Sequence, residues 1–414
     1  MSAASAAVAA RYSVRPLLPG PPDALREEVL RLGVPPEKLT VLARHGALEA
    51  LALRGLSPDQ TRVIGRLVAQ GGGEVLTNHD GDRAVLLMPL STAGSLPEQL
   101  AAWSDRTGEV GAAIGAVLTA RGSPPAPLDV PGHRLVFGER TLVMGILNVT
   151  PDSFSGDGVG DDLDAATARA HSLARDGADI IDIGGESTRP SAQRQPVPVD
   201  VELGRVLPVI RALAGRLPVP LSIDTRKAAV AAAALDAGAV IVNDIWGLRG
   251  DPDMARVVAE RPGTGLVVMH NQHGTEYGDL LEDVCLGLHQ SLALAESAGV
   301  PASQVIVDPG FGFAKTPAHN LELTRRLGEL RGIGHAVLVG PSRKSTIALL
   351  TGDADPAHRV EGSIVLATLA VHAGAHLVRV HDVAATVRAM RVADAVVRGT
   401  PEALRHLPIP GPTG

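Results

Sequence analysis

Residues 221–244 read LSIDTRKAAVAAAALDAGAVIVND, and this stretch decides the fold. Its two ends, Leu221–Asp224 and Val240–Asp244, are short apolar runs closed by polar residues, which indicates two buried β-strands. The stretch between them, Lys227–Ala237, has the pattern of a helix. Two strands joined through a helix form a β–α–β unit, the repeating element of a parallel sheet. We therefore expect an α/β fold.

The same unit recurs along the chain. Strand-like runs that alternate with longer helical stretches are predicted at Leu142–Asn148, Ile180–Gly184, Leu221–Asp224, Val240–Asp244, Leu266–His270, Val305–Asp308, Ala336–Gly340 and Leu377–Val380. Eight strand–helix units in about 265 residues favour a TIM (β/α)8 barrel over an open doubly wound sheet. The runs are continuously apolar, as expected for parallel strands that are buried on both faces.

Proline and glycine divide the chain into segments. Residues 122–133, GSPPAPLDVPGH, contain four prolines and two glycines and predict a linker. Residues 1–121 before it predict a small α/β domain to which the sequence assigns no role. Residues 134–400 predict the barrel, entered through a hairpin at residues 134–139. Residues 401–414 predict a flexible tail.

Bulk composition excludes several classes of function. A formal net charge of -7, with no basic stripe interleaved with aromatic residues, argues against a nucleic-acid partner. No apolar run reaches the length of about 18 residues that spans a bilayer, so we expect no membrane association. The one cysteine, Cys285, fits a reducing compartment, and the first residues lack the basic and apolar segments of a secretion signal. We expect a cytoplasmic protein.

Polar and charged groups lie at the end of every predicted strand. They are Asn148, Glu186, Ser187, Thr188, Arg189, Asp224, Arg226, Asn243, Asp244, His270, Asp308, Ser342, Arg343, Lys344, Arg379, His381 and Asp382. A single Asp or Asn at a strand end is equally well explained by a helix cap or a turn, and His270 alone by a hydrogen-bonded wall residue. In a barrel, however, all eight ends meet at one mouth. Together they predict a site.

The residue types at this mouth suggest the chemistry of a ligand. Donors and acceptors suited to a flat heterocycle are Asp224, Asn243, Asp308 and Lys344. Arg379, His381 and Arg189 are cations of the kind that bind phosphate or diphosphate. The amide oxygen of Asn148 is a hard ligand that Mg²⁺ accepts. Covalent acyl chemistry is disfavoured because no serine lies in a GxSxG elbow.

Eight segments, in this order and spacing, resemble the dihydropteroate synthases closely. They read MGILNVTPDSFS, IIDIGGESTRP, SIDT, GAVIVNDI, DPGFGFAK, HN, VGPSRKS and RVHDV, and the resemblance runs from about Leu142 to Val397. It implies a pterin-binding TIM barrel that condenses 6-hydroxymethyl-7,8-dihydropterin diphosphate with 4-aminobenzoate, giving 7,8-dihydropteroate and pyrophosphate in folate biosynthesis. It also implies Mg²⁺ as cofactor and a homodimer. The first 120 or so residues are absent from minimal members of the family.

The resemblance also implies roles for individual residues. These are Asn148 as the Mg²⁺ ligand; Asp224, Asn243, Asp308 and Lys344 as the pterin pocket; Thr188, Arg379 and His381 at the diphosphate; and Phe313, Pro190 and Ser345 at 4-aminobenzoate. Loops that carry Asp152, Phe154 and Arg189 are expected to close over the site. Ser187 and His270 complete the expected substrate-binding residues. The expected catalytic residues are Asn148, Asp152, Arg189, Lys344, Arg379 and His381.

Two other functions stay open at this point. A methyltetrahydrofolate methyltransferase acting with a corrinoid partner would share the Asp and Asn strand ends, but it would not need SRK, ESTRP and RVHD together as a diphosphate site. A catalytically silent, pterin-binding regulatory paralogue is expected to have lost a charged group from one of the motifs. None of those groups is missing from this sequence.

Overall fold

The computed structural model of the chain describes residues 13–16, 48–150, 162–186 and 197–399, the first range as backbone only. Within these ranges the strands form a four-stranded antiparallel sheet, a two-stranded hairpin and a closed parallel barrel. Among the helices described, none is long and apolar enough to cross a bilayer.

The amino-terminal domain is a sheet covered by helices. Its elements are β1 Ser13–Pro16, β2 Leu48–Arg54, α1 Pro58–Gln70, β3 Glu74–Thr77, β4 Arg83–Pro89, α2 Leu90–Trp103 and α3 Asp105–Gly122. The strands lie in the order β1-β2-β4-β3. Ser57 and Gln60 form a capping box that starts α1. Leu51, Leu86 and Ile114 belong to one buried core between sheet and helices, so this small α/β domain has its own hydrophobic core.

A hairpin precedes the barrel. It pairs β5, Leu128–Val130, with β6, His133–Leu135. The expected hairpin at residues 134–139 was therefore placed too late in the chain. β5 lies inside the proline-rich stretch, where prolines flank the strand without interrupting it. Leu128 packs in one buried cluster with Met144 and Ile241 from inside the barrel, so the hairpin closes the amino-terminal end of the barrel, here called the base.

The barrel confirms the predicted TIM fold. Its elements are β7 Leu142–Asn148, α4 Leu163–Arg175, β8 Ile180–Gly184, α5 Val199–Leu213, β9 Leu221–Asp224, α6 Ala228–Ala237, β10 Ile241–Asp244, α7 Met254–Ala259, β11 Gly265–Met269, α8 Leu280–Ser297, β12 Val305–Asp308, α9 Pro317–Arg325, β13 Ala336–Val339, α10 Ser345–Thr351, α11 Val360–His372, β14 Leu377–Val380 and α12 Val383–Val397. Short 3-10 helices span Ala302–Gln304, Leu327–Ile333 and Pro356–Arg359. In the described ranges, eight parallel strands close through the pairing of β14 with β7.

The register of the strands brings their polar ends to one level. Asn148 lies beside Gly184, and Gly184 lies beside Asp224 on the next strand. Asp224 in turn neighbours Asn243, and Asp308 neighbours the last residue of β11. Since every barrel strand runs in the same direction, these ends form the carboxyl-terminal mouth at which active sites of this fold lie.

Candidate active site

A glycine leaves open space between two of the predicted site residues. If Gly184 carried a Cβ atom, that atom would lie 3.7 Å from Oδ2 of Asp224 and 3.8 Å from Oδ1 of Asn148. Both side chains therefore face the same small volume at the mouth. Asn148 is half-buried and its amide oxygen is a hard donor atom. Among the described residues, no group of three His, Cys, Asp or Glu side chains is arranged around a metal position.

Arg379 joins two carboxylates inside the barrel. Its Nε donates to Oδ2 of Asp182 at 2.6 Å, and one terminal nitrogen donates to Oδ2 of Asp224 at 2.6 Å. The amide nitrogen of Asn243 donates to the same Asp182 oxygen at 2.9 Å. The second oxygens of both Asp182 and Asp224 are buried without a partner in the described part of the chain. These oxygens are acceptors that a ligand with N–H groups could use.

Burial sets the electrostatics of the carboxylates. It raises the pKa of Asp224 to about 7, with repulsion from Asp182 adding to the rise and Arg379 opposing it. Burial also raises the pKa of Asp308 to about 6, although a backbone hydrogen bond from Gly310 and the charge of Lys344 oppose the rise. Both groups therefore titrate near neutral pH in the ligand-free protein, which is typical of functional sites.

The loop after β12 places an aromatic ring beside a cation. The Lys344 ammonium nitrogen lies 4.1 Å from the centre of the Phe313 ring. The chain can approach this closely because residue 312 is glycine: a Cβ there would lie 2.8 Å from Cδ of Lys344, and its φ of +77° favours glycine. Asn320 accepts from the Gly312 amide at 2.8 Å and donates to Thr346, so it fixes this loop against α10. Phe313 is half-buried.

The last two barrel loops are joined by side-chain contacts. His381 Nδ1 lies 3.0 Å from the Ser342 hydroxyl, which holds the imidazole at the rim. Arg343 donates to Asp382 at 2.9 and 2.6 Å. Asp382 therefore binds an arginine and does not cap α12 through its side chain. Ser345, the first residue of α10, is exposed.

His270 is not grouped with the other predicted residues. It is buried, and its ring edge lies where a Cβ on Gly287 of α8 would stand, between the barrel and that helix. Its Nδ1 lies 3.2 Å from Nζ of Lys315, which also donates to the Phe313 carbonyl at 3.2 Å. Burial, followed by the nearby lysine, lowers the pKa of His270 to about 2. This geometry corresponds to the hydrogen-bonded wall residue that the sequence left open.

Lys227 connects the two ends of the segment 187–196. It donates to Glu186, just before that segment, at 2.7 Å, and to the carbonyl of Val197, just after it, at 2.7 Å. It also makes a short contact with Glu202, whose side chain is almost completely buried. The sequence suggested only a helix start for this lysine.

Six of the predicted residues lie outside the described residues. They are Asp152, Phe154, Ser187, Thr188, Arg189 and Pro190. In contrast, Asp182 was missed by the sequence analysis although it contacts two predicted residues. Its signal is an acidic residue inside the apolar run IIDIG, since a carboxylate buried in a strand needs a partner.

Comparison with known proteins identifies the class. The profile of the family described as pterin binding enzyme matches residues 144–381. The dihydropteroate synthase of Bacillus subtilis is 47% identical over 263 residues, which cover 64% of this chain and 91% of that protein.

Solved structures give the same result. One is the Xanthomonas albilineans dihydropteroate synthase with 4-aminobenzoic acid, with a TM-score of 0.62 and 45% identity, covering 66% of this chain and 98% of that chain. Another is the Burkholderia cenocepacia enzyme complexed with 7,8-dihydropteroate, with a TM-score of 0.60 and 43% identity, covering 66% of this chain and 97% of that one. The chain belongs to the family of pterin-binding enzymes and, within it, to the dihydropteroate synthases.

Proposed function

We propose that the chain condenses 6-hydroxymethyl-7,8-dihydropterin diphosphate with 4-aminobenzoate to give 7,8-dihydropteroate and pyrophosphate. The observation that carries this proposal is the convergence of Asp224, Asn243, Arg379 and the pair Lys344–Phe313 on one barrel mouth. A flat ring with several N–H groups and a diphosphate tail needs acceptors, donors and cations in this combination.

Within this proposal the pterin lies against the buried carboxylates. The unpartnered oxygens of Asp182 and Asp224 and the carboxylate of Asp308 would accept N–H groups of the pterin. Lys344 would donate to the oxygen or a ring nitrogen of the pterin. Arg379, already placed between two carboxylates, and His381 at the rim would face the diphosphate.

The reaction separates charge at one carbon. The bond between the pterin methylene carbon and the diphosphate oxygen breaks, pyrophosphate leaves with the electron pair, and the electron-rich dihydropterin stabilises the resulting cation. The neutral aromatic amine then attacks the methylene carbon and loses a proton. Arg379 and His381 would stabilise the charge of the leaving group, which is electrostatic catalysis. The half-buried ring of Phe313 would orient the aromatic amine.

We further propose Mg²⁺ as cofactor, with Asn148 as its protein ligand. The donor fits: a half-buried amide oxygen faces the open space at Gly184, and Mg²⁺ prefers few protein ligands together with water and substrate phosphates. The ion would supply positive charge to the departing diphosphate. If this assignment holds, Asn148→Ala weakens the Mg²⁺ dependence of diphosphate binding, measured by calorimetry, and leaves the binding of pteroic acid, which lacks a diphosphate, unchanged.

Pyrophosphate release tests the proposed activity. Purified protein is mixed with pterin diphosphate and 4-aminobenzoate, and the product is identified by mass. The expected result is formation of 7,8-dihydropteroate at the same rate as pyrophosphate. A folded sample that binds pterin without turnover would instead support the silent paralogue. Asp308→Ala, which removes a buried carboxylate from the pocket, is expected to weaken pteroic acid binding, whereas the exposed Arg256→Ala serves as a control that should not.

We also propose a homodimer formed through helices α10, α11 and α12. Exposed apolar side chains on these helices are Leu349, Leu350, Val365, Leu369, Val392 and Val396. Val396 is 79% exposed and Leu349 is 68% exposed, and an apolar patch of this kind supports an interface. Light scattering is expected to give twice the chain mass, and Val365→Glu combined with Val396→Glu is expected to give monomers. A monomeric wild-type protein would contradict the proposal.

A cytoplasmic location completes the proposal. The chain's single cysteine, Cys285, is buried, which suits a reducing compartment but does not require one. Cell fractionation with an antibody against the chain tests this location directly, and recovery in an exported fraction would contradict it.

A further inference from the structure

A cavity lies between the amino-terminal domain and the base of the barrel, at the end opposite the mouth. It has a volume of about 1080 Å³. One wall is α3, and the other consists of residues just before β12, β13 and β14, including Ser303, His335 and His376. Because these residues precede their strands, they lie at the end opposite the pterin site. Boundaries between domains are a preferred place for small-molecule sites, and the volume is large enough for one.

Small side chains on α3 leave this space open. Ala112, Ala116 and Ala120 line the cavity at a spacing of four residues, so they lie on one face of the helix. The domains are nevertheless in direct contact at the end of α3. A Cβ on Gly334 would lie 3.3 Å from Cβ of Ala120, and Arg331 donates to the carbonyl of Arg121 at 3.1 Å. The cavity therefore lies beside a packed contact between the two domains.

Basic groups dominate the lining. The basic side chains are Arg121, Arg331, Arg398, His289, His335, His372 and His376, and Glu109 is the acidic side chain among the described lining residues. Arg121 pairs with Glu49, and Arg398 pairs with Asp394 at 2.8 Å. Within the described residues, Arg331 has no carboxylate partner and donates only to the Arg121 carbonyl. Arg331 is therefore an arginine of this lining whose charge no described carboxylate pairs.

Two buried histidines also line the cavity. His335 is 9% exposed and His376 is 8% exposed. The Nδ1 of His376 accepts from the Val337 amide at 3.1 Å, so its ring proton is on Nε2 and available to a ligand. The Nδ1 of His335 is 3.0 Å from the carbonyl of Val305, to which it donates, so Nε2 of His335 can take up a further proton. No described residue is bonded to either Nε2.

We propose that this cavity binds a small molecule that carries a phosphate group, with Arg331, His335 and His376 holding the phosphate and the alanine face of α3 contacting the organic part. Guanidinium and imidazole N–H groups are the donors that phosphate prefers, and their hydrogen bonds to it are charge-assisted. The amino-terminal domain would then be one wall of a ligand site that the barrel alone does not contain. This proposal is independent of the reaction at the mouth.

Binding should take up protons. Burial lowers the pKa of His376 to about 4, with Arg398 and Arg331 lowering it further, and burial lowers the pKa of His335 as well. An anion would favour the protonated imidazoles and raise both pKa values. The other charged or titratable groups that line the cavity with them are His289, which interacts with His335, His372, the paired Arg121, and Glu109. Because the complex holds more protons than the free protein, affinity should increase as pH falls from 8 to 6.

Calorimetric titration of the full chain tests the proposal. The probes are inorganic phosphate and adenosine monophosphate, at pH 6 and pH 8, with the mouth occupied by pteroic acid. We expect binding that is tighter at pH 6, proton uptake detected with buffers of different ionisation enthalpy, and an increase in Kd of at least about tenfold in Arg331→Ala, the loss of one charge-assisted contact. Equal affinity for both probes would support the proposed phosphate contacts only. Tighter binding of the nucleotide would also support contact between its organic part and the alanine face of α3.

Two further variants keep the test decisive if Arg331→Ala does not fold. Ala116→Phe fills the cavity without changing its charge and should abolish binding, whereas His381→Ala, which removes a proposed diphosphate contact at the mouth, should leave it intact. The proposal is overturned if neither probe binds at either pH. It is also overturned if binding survives Ala116→Phe or is lost in His381→Ala, since the phosphate would then occupy another site.

Discussion

Replacing Asp182 with asparagine should change how pterin binding depends on pH. Asp182 shares Arg379 with Asp224, and repulsion between the two carboxylates contributes to the raised pKa of Asp224. Asp182→Asn removes that repulsion while keeping an oxygen that can accept from Arg379 and Asn243. The pKa of Asp224 should therefore fall in the variant.

The expected size follows from the titration of Asp224. With a pKa of about 7 in the ligand-free protein, about nine molecules in ten carry an ionised Asp224 at pH 8 and about one in ten at pH 6. If the pterin binds to the ionised form of Asp224, the wild-type Kd should rise about tenfold as the pH falls from 8 to 6. The Kd of Asp182→Asn should rise much less over the same range. Exchange of a charge-assisted hydrogen bond for a neutral one should also cost about 1 to 2 kcal/mol of stability.

Titration with pteroic acid from pH 5.5 to 8.5 measures this effect. Ser222→Ala is the matched control, because Ser222 is paired with Asp182 across the β8–β9 ladder and its buried hydroxyl has no partner in the described part of the chain. This control removes a polar group without changing charge, so its Kd should follow the wild-type pH dependence. An identical pH dependence in Asp182→Asn and the wild type would refute the coupling, as would the same flattening in Ser222→Ala.

Three further predictions concern the loops. Lys227→Met leaves Glu186 and the buried Glu202 without their shared cation, so it should lower the free energy of unfolding, measured in urea, by about 3 to 5 kcal/mol. A decrease no larger than that of the half-buried control Arg226→Met would contradict this. Burial lowers the pKa of Lys315 to about 7, so the cost of burying its charge is fully present below pH 7 and is lost as pH rises towards 10.5. The stability of the wild type relative to Lys315→Met should therefore rise by up to about 1.4 kcal/mol per pH unit between pH 7.5 and 9.5. Parallel plots of stability against pH for the two proteins would exclude this titration. Phe313→Ala should raise KM for 4-aminobenzoate by about tenfold, because the ring contact is lost, and should change the affinity for free pterin little. The reverse pattern would show that the ring contacts the pterin instead.

The repeated strand–helix pattern was sufficient to predict the barrel. Parallel strands buried on both faces give continuous apolar runs, and β7, β8, β9, β12 and β14 begin and end where those runs do. The hairpin at the base was harder to place, because proline normally argues against a strand. β5 is short and pairs only with β6 in the described sheet, so prolines at its flanks remove no ladder hydrogen bond.

The site was predictable where residues end strands, and less so where they lie one layer deeper. Asn148, Asp224 and Asp308 end their strands, and the barrel brings these ends to one mouth, as the sequence predicts for their position. The roles of Lys227 and Lys315 depend on which loop folds over which helix, and that geometry has no signal in local sequence. His270 was grouped with the site because it follows a strand, but its ring points towards α8.

Asp182 could have been found by an argument from charge. A carboxylate inside an apolar strand needs a cation within the same barrel, and the cation in a neighbouring layer is Arg379, in the run LVRV. That pairing has a consequence for the reaction. Two carboxylates already neutralise Arg379 in the ligand-free protein. If Arg379 binds the diphosphate as proposed, the diphosphate would gain its full attraction only when an Asp is protonated or is engaged by the N–H groups of the pterin. Under that proposal, pterin and diphosphate recognition would be coupled through one arginine, so a ligand with both parts should bind more tightly than its separate parts predict.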